Sequence, residues 1–149
     1  MREVHGSETP LGLRWWVSQT VALDAGVGFD HDSILGQSLT RVTGEFGIPF
    51  QMAEWERVGF YLRPGVSYTA REQLDSGPPF YDKVTDHSLT ASLRAEAEVF
   101  VVSRVSLSGS FGIQYTHLDR AGGPDTNEWG TTGGNFTNLG FHIYFGGPR

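Results

Sequence analysis

The sequence predicts an all-β protein, an antiparallel up-and-down barrel of about eight strands, of which this chain supplies seven. Two observations indicate this fold. Apolar and polar residues alternate along most of the 149 residues, which is the period of a β-strand, and helical spacing is hard to find. The alternating segments are roughly 9 to 14 residues long, and short and long connections between them follow in strict alternation.

Seven alternating segments are visible. The first two are LGLRWWV and VALDAGVGF, and the others lie at about 39–52, 58–71, 88–101, 105–115 and 137–145. The connections SQT, AEWER and VSR are short, whereas those at 30–37, 72–86 and 117–134 are long, and the one at 72–86 is rich in Pro, Gly and Asp. Short turns on one side and long loops on the other are typical of transmembrane barrels.

Composition narrows the function. The net charge of −6 argues against a nucleic-acid partner, and the absence of cysteine excludes disulfides and thiolate metal sites. None of the five histidines has the spacing of a metal or hydrolase motif, and the acidic residues lack the spacing of a Ca²⁺ site. We therefore expect no enzyme activity, no catalytic residues, no metal and no cofactor.

The two faces of the strands differ in charge. One face is apolar with essentially no charge, and the other carries Gly, Ser, Thr and charges of both signs. A basic residue at the bilayer midplane costs about 2–4 kcal/mol, so the uncharged face is expected to meet lipid. The charged side chains are then expected to pair inside the lumen and plug it. The predicted lumen network comprises Arg14, Asp24, Arg41, Glu45, Arg63, Arg71, Arg94, Glu96 and Glu98.

Aromatic residues gather near the strand ends. Such belts are expected at both membrane interfaces, because amphipathic rings favour the headgroup region. The residues assigned to the short-turn end are Trp15, Trp16, Trp55, Tyr144 and Phe145, and those at the long-loop end are Phe29, Tyr68 and Tyr115.

The last segment, NLGFHIYF, alternates apolar residues and ends on an aromatic. With the strand pattern and the loop asymmetry, it makes nearly the whole chain resemble the small outer-membrane β-barrels of Gram-negative bacteria, the group of the OmpA transmembrane domain, OmpX and the opacity proteins. The resemblance implies the bacterial outer membrane, contact with its lipid and lipopolysaccharide, and recognition of the final strand by the barrel assembly machinery. The residues that match this assembly signal are Leu139, Phe141, Ile143 and Phe145.

The resemblance also sets expectations for the termini of this single domain, 1–149. The start MREVHGSETP has no apolar signal-peptide core, and the first segment precedes a short turn. Residues 1–10 are therefore expected to be an outer-loop remnant, with a first strand and a signal peptide upstream. Strands occupy 11–145, and GGPR at 146–149 is expected to be a periplasmic tail.

The expected role is structural, or surface interaction and adhesion through the long loops. An unknown loop ligand would bind around DSGPPFYDK and RAGGPDTNEWG. Two alternatives remain open: a narrow pore across the outer membrane, and a soluble lipocalin-like ligand-binding barrel.

Overall fold

The protein is all-β in the computed structural model, which describes residues 11–34, 37–74, 83–102, 105–132 and 138–143. Nine strands lie in these ranges, and no helix there is long and apolar enough to cross a membrane. The strands are β1 Leu11–Trp16, β2 Ala22–Ile34, β3 Gln37–Gly47, β4 Phe50–Trp55, β5 Val58–Leu74, β6 Lys83–Val102, β7 Val105–Asp119, β8 Thr126–Thr132 and β9 Asn138–Ile143.

All nine strands belong to one antiparallel sheet with the order β1-β2-β3-β5-β6-β7-β8. The remaining two strands lie in line with strands of this order: β4 continues β3 along β5, and β9 continues β8 along β7. Each such line of one or two strands is called a row. The sheet therefore has seven rows, each paired with its neighbour in sequence. This confirms the predicted all-β antiparallel architecture.

The third row is one strand with a local interruption at Pro49. The register on β5 is the same before and after it, since Gly47 pairs with Gly65 and Phe50 with Leu62. Pro49 lacks the N–H that would extend the ladder, although its carbonyl still accepts from the Ala22 N–H at 3.0 Å. The row continues to Trp55 and turns at residues 56–57, so the predicted AEWER connection is mostly strand.

The strands extend further toward the long-loop end than the sequence predicts. β2 ends at Ile34 and β6 begins at Lys83, inside two segments that are loops by composition. The third predicted long loop is wrong in length, because Thr126–Thr132 forms β8 and 120–125 alone connects it to β7. Pairing with β7 satisfies the backbone of this segment, which outweighs its turn-like composition. Residues 75–82, most of DSGPPFYDK, lie outside the described residues.

The sheet is strongly rolled. β1 and β6 are four rows apart, which is roughly 19 Å across a flat sheet. Yet the Arg14 Nη2 atom on β1 lies 2.9 Å from Glu96 Oε1 on β6. Within the described ranges β1 pairs with β2 alone, and β8 and β9 pair with β7 alone, so the sheet is not closed into a barrel. A seam remains between β1 and the row of β8 and β9.

Rolling separates an inner face from an outer face. Among the described residues, the buried hydrophobic ones are Ala22 and Tyr61, whereas the buried polar ones are Asp24, Asp86, Glu96, Glu98, Ser106, Ser108 and Ser110. The outer face carries large apolar side chains that are exposed on every row with described side chains, including Leu13, Phe29, Phe46, Leu62, Leu89, Phe111 and Trp129. The division follows the alternation in the sequence and reverses the polarity of an ordinary protein core.

Candidate functional site: an ionic cluster on the inner face

Arg14 is the centre of a group of paired charges on the inner face, here named the ionic cluster. Its guanidinium binds Asp24 through two parallel hydrogen bonds, Nε to Oδ1 at 2.8 Å and Nη2 to Oδ2 at 3.0 Å. It also donates to Glu96 Oε1 at 2.9 Å and to Glu98 Oε2 at 3.3 Å. One arginine of β1 therefore binds carboxylates of β2 and of β6 across the rolled interior.

Arg63 and Arg94 extend the cluster toward β3. Arg63 Nε donates to Asp24 Oδ2 at 2.7 Å, and Arg63 Nη1 donates to Glu45 Oε1 at 2.6 Å. Arg94 Nη1 donates to the same Glu45 oxygen at 3.0 Å. Arg63 and Arg94 are cross-strand partners of like charge, and the shared Glu45 carboxylate offsets their repulsion.

The cluster contains three arginines and four carboxylates, all nearly buried, with a formal charge of −1. The exposed side-chain fraction is 15% at Arg94 and lower at the other members. Buried charges are tolerated only when paired, and each of these seven side chains has a partner. The arrangement crosses the rolled interior and connects β1, β2, β3, β5 and β6. Its members are Arg14, Asp24, Glu45, Arg63, Arg94, Glu96 and Glu98.

Three further residues support the cluster, although the sequence-based network did not include them. The Ser106 hydroxyl donates to Glu98 Oε1, and the Arg14 guanidinium lies 5.3 Å from the centre of the Tyr61 ring, within cation–π distance. Trp16 packs against the same ring with centroids 5.9 Å apart. Trp16 therefore belongs to the inner face and not to the outer aromatic belt. Alternation along each strand was the signal that places all three inward.

Glycines make room for the large side chains of the cluster. A Cβ atom at Gly47 would lie 2.8 Å from Arg63 Nε, and one at Gly59 would overlap the Tyr61 ring. Both glycines are buried and face inward. The small residues of the polar face therefore allow arginine and tyrosine to fit inside a narrow interior.

Arg41 and Arg71 are apart from the cluster, toward the long-loop end of the inner face. They are cross-strand partners of each other. On their other sides, Arg41 pairs with Asp30 on β2, and Arg71 pairs with Asp86 on β6. The Asp86 carboxylate accepts from Gln73 Nε2 at 2.7 Å and from the Ala121 N–H at 3.0 Å. These four charged residues thus form a second charged group at the long-loop end of the rolled sheet.

Apart from Trp16, the described aromatic residues that the sequence assigned to interfaces lie on the outer face. Trp15, Trp55, Phe29 and Tyr68 are exposed, and Tyr115 is half-buried against Trp129. Tyr144 lies outside the described residues.

In the closing strand, Leu139, Phe141 and Ile143 pair in register with Gly109, Leu107 and Val105 of β7. Phe145 lies outside the described residues.

Fold and site together define an all-β protein whose antiparallel sheet has an ionic inner face and an apolar outer face. No protein-family model, curated protein or solved structure matches the chain. Within the described residues, no group of three or more His, Cys, Asp or Glu side chains is placed to hold a metal ion.

Proposed function

We propose that the protein is a β-barrel of the bacterial outer membrane with a structural or surface-interaction role. The observation that carries this proposal is the reversed polarity of the sheet. Phe111 on the outer face is 65% exposed, whereas Glu98 on the inner face is fully buried. Contiguous apolar patches on soluble monomers rarely exceed a few hundred Å², so an outer surface this apolar requires a cover. Lipid supplies that cover and leaves the ionic face inside.

The height of the apolar band supports the same environment. On β5 it extends from Val58, beside Trp55, to Tyr68. These ten steps span about 33 Å along the strand, or about 25 Å along the membrane normal at a tilt of roughly 40°. The outward band of outer-membrane barrels is about 25 Å tall and has aromatic residues at both edges.

In the proposed barrel, an eighth strand closes the seam between β1 and the row of β8 and β9. In an antiparallel meander of seven rows, the first and the last row point the same way, so β1 and the row of β8 and β9 cannot pair antiparallel with each other. One additional strand would be antiparallel to both. Free sheet edges are not tolerated in hydrocarbon, so lipid favours that closure.

The ionic cluster supports a plugged interior rather than a pore. Arg14 spans the interior between β2 and β6, and Arg63 and Arg94 meet at Glu45. A lipocalin-like barrel fits less well, because this inner face offers paired charges in place of an apolar ligand cavity. The proposed contacts of the protein are outer-membrane lipid and lipopolysaccharide, and the barrel assembly machinery during insertion.

Migration on a detergent gel tests the membrane proposal. The protein, refolded into detergent micelles, should migrate faster in dodecyl sulfate before boiling than after it, because a closed barrel resists the detergent until it is heated. It should also lose solubility when the micelles are removed. A monodisperse protein in water would refute the membrane barrel.

Conductance in planar bilayers tests the plugged interior. We expect no steady single-channel current, and stable current steps would show a pore and contradict the plugged interior.

A further inference from the structure

Four side chains at the long-loop end of the outer face form one group, here named the Asn127 cluster: the hydrogen-bonded Tyr115, His117 and Asn127, and Trp129, whose ring contacts that of Tyr115. The Tyr115 hydroxyl donates to Asn127 Oδ1 at 2.9 Å, and His117 Nδ1 lies 2.8 Å from the same oxygen. An amide oxygen can only accept, so His117 Nδ1 carries the hydrogen. The Tyr115 and Trp129 rings are 5.0 Å apart and tilted by 54°.

This geometry leaves a defined set of polar atoms for a ligand. With its oxygen occupied, Asn127 retains two amide N–H donors that bind nothing else in the described part of the chain. In the tautomer with its hydrogen on Nδ1, His117 presents Nε2 as an acceptor on the far side of the ring, and the Tyr115 oxygen can still accept. These donors and acceptors lie on the same face of the sheet as Trp129, which is 77% accessible, because Trp129 pairs with Tyr115 and Asn127 pairs with His117.

Such a combination matches a sugar. A pyranose has an apolar C–H face that packs on an aromatic ring, and its hydroxyls each donate and accept. An ordinary interfacial tryptophan needs only an apolar and a wet side, and Trp55 at the opposite end is such a residue: it is equally exposed, at 77%, and its indole N–H makes no hydrogen bond within the described residues. The Asn127 cluster is therefore more elaborate than anchoring requires.

The position of the cluster fits the same ligand. His117 pairs with Leu89, and Leu89 pairs with Tyr68, so His117 and Tyr68 lie at the same height in the sheet. The cluster therefore lies at the long-loop edge of the apolar band. This height corresponds to the headgroups of the outer leaflet. We propose that the Asn127 cluster binds a saccharide of the outer-leaflet glycolipid and holds that lipid against β7 and β8. The assignment to a lipid-borne sugar rests on the proposed function.

Calorimetric titration with a deacylated, water-soluble lipopolysaccharide core oligosaccharide tests the site. The variants are Trp129→Ala, Asn127→Asp, which keeps the acceptor and removes both N–H donors, and Trp55→Ala as the matched control. We expect Trp129→Ala and Asn127→Asp each to weaken binding about tenfold, since each removes one aromatic or hydrogen-bonded contact. Trp55→Ala should leave the affinity unchanged.

Two results would overturn the proposal: absence of saturable binding by the unmodified protein, or equal losses for Trp129→Ala and Trp55→Ala. Unchanged heat-dependent gel migration shows that each variant is folded. Failure here would leave the membrane proposal standing if the protein still requires detergent. Conversely, if the protein proves soluble in water, the same titration still measures the Asn127 cluster, and binding there would retain the saccharide site without the membrane.

Discussion

Asp24 has more influence on the inner face than any single charge in the sequence suggests. Its two oxygens bind Arg14 by a fork of two hydrogen bonds and Arg63 by a third. It is buried, with a relative exposure of 8%. Because it joins the part of the cluster around Arg14 to the part around Arg63, its carboxylate holds both parts in one geometry.

The substitution Asp24→Asn tests this role. An amide replaces one acceptor oxygen with an N–H₂ group that opposes the guanidinium, and two buried arginines lose compensation. We expect a loss of about 3–5 kcal/mol in the free energy of unfolding. Urea unfolding of the micelle-bound protein measures it. Glu54→Gln on β4, at an exposed position, should change the midpoint little. Equal midpoints for both variants would contradict a structural role of the cluster.

At the scale of a strand, β7 shows how closely neighbouring rows pack. A Cβ atom at Gly112 would overlap the Leu93 carbonyl oxygen and lie 2.7 Å from the Arg94 Cα atom. Around Gly109 on the same strand, nothing lies within 4 Å of the corresponding position. Both glycines pair with β6, but they are three positions apart and face opposite sides of the sheet. The Cβ position therefore meets the β6 backbone at Gly112 and open space at Gly109.

This contrast predicts different effects of the same substitution. Gly112→Ala should destabilise the protein by about 1–3 kcal/mol, because backbone atoms of β6 must move to accept the methyl group. Gly109→Ala, which meets no atom, should be close to neutral or slightly stabilising through its lower unfolded-state entropy. The same urea titration compares the two. If both variants behave alike, the contact between β6 and Gly112 does not restrict the sheet.

For the whole molecule, the environment of the outer face determines the cost of a charge there. Leu93 lies near the middle of the apolar band on β6, and Val101 lies near its short-turn end. In lipid vesicles Leu93→Arg should cost about 2–4 kcal/mol, and Val101→Arg about 0–1 kcal/mol. Reversible unfolding from vesicles measures both. On a water-exposed face the two variants would be equally harmless, and that result would contradict the lipid-facing assignment.

The division into faces could be predicted from the sequence because side-chain direction in a strand depends only on position. The sequence identifies inward residues such as Arg63 and Arg71 equally well, as they share a strand and a face. It does not show that Arg63 joins the ionic cluster and Arg71 does not. That difference depends on the register between rows and on how far the sheet rolls toward β6. Neither quantity is local.

The lengths of the strands were less predictable for a related reason. TNEWGTT contains Asn, Gly and Glu, which disfavour strands, and its place beside β7 is decided by pairing. The Asn127 cluster shares this origin. Tyr115 and Asn127 come together because β7 and β8 pair with Trp129 opposite Tyr115, a relation that the composition of a supposed loop could not reveal.

The meander has a kinetic consequence through the contacts of Arg14. Each hairpin brings together residues that are near in the chain, whereas Arg14 meets Glu96 and Glu98 across 82 and 84 positions. Closing so long a loop by itself is entropically unfavourable, so the ladder must form first and shorten the distance. The ion pairs of Arg14 with Glu96 and Glu98 therefore belong to the last stage of assembly, when they fasten a sheet that has already rolled.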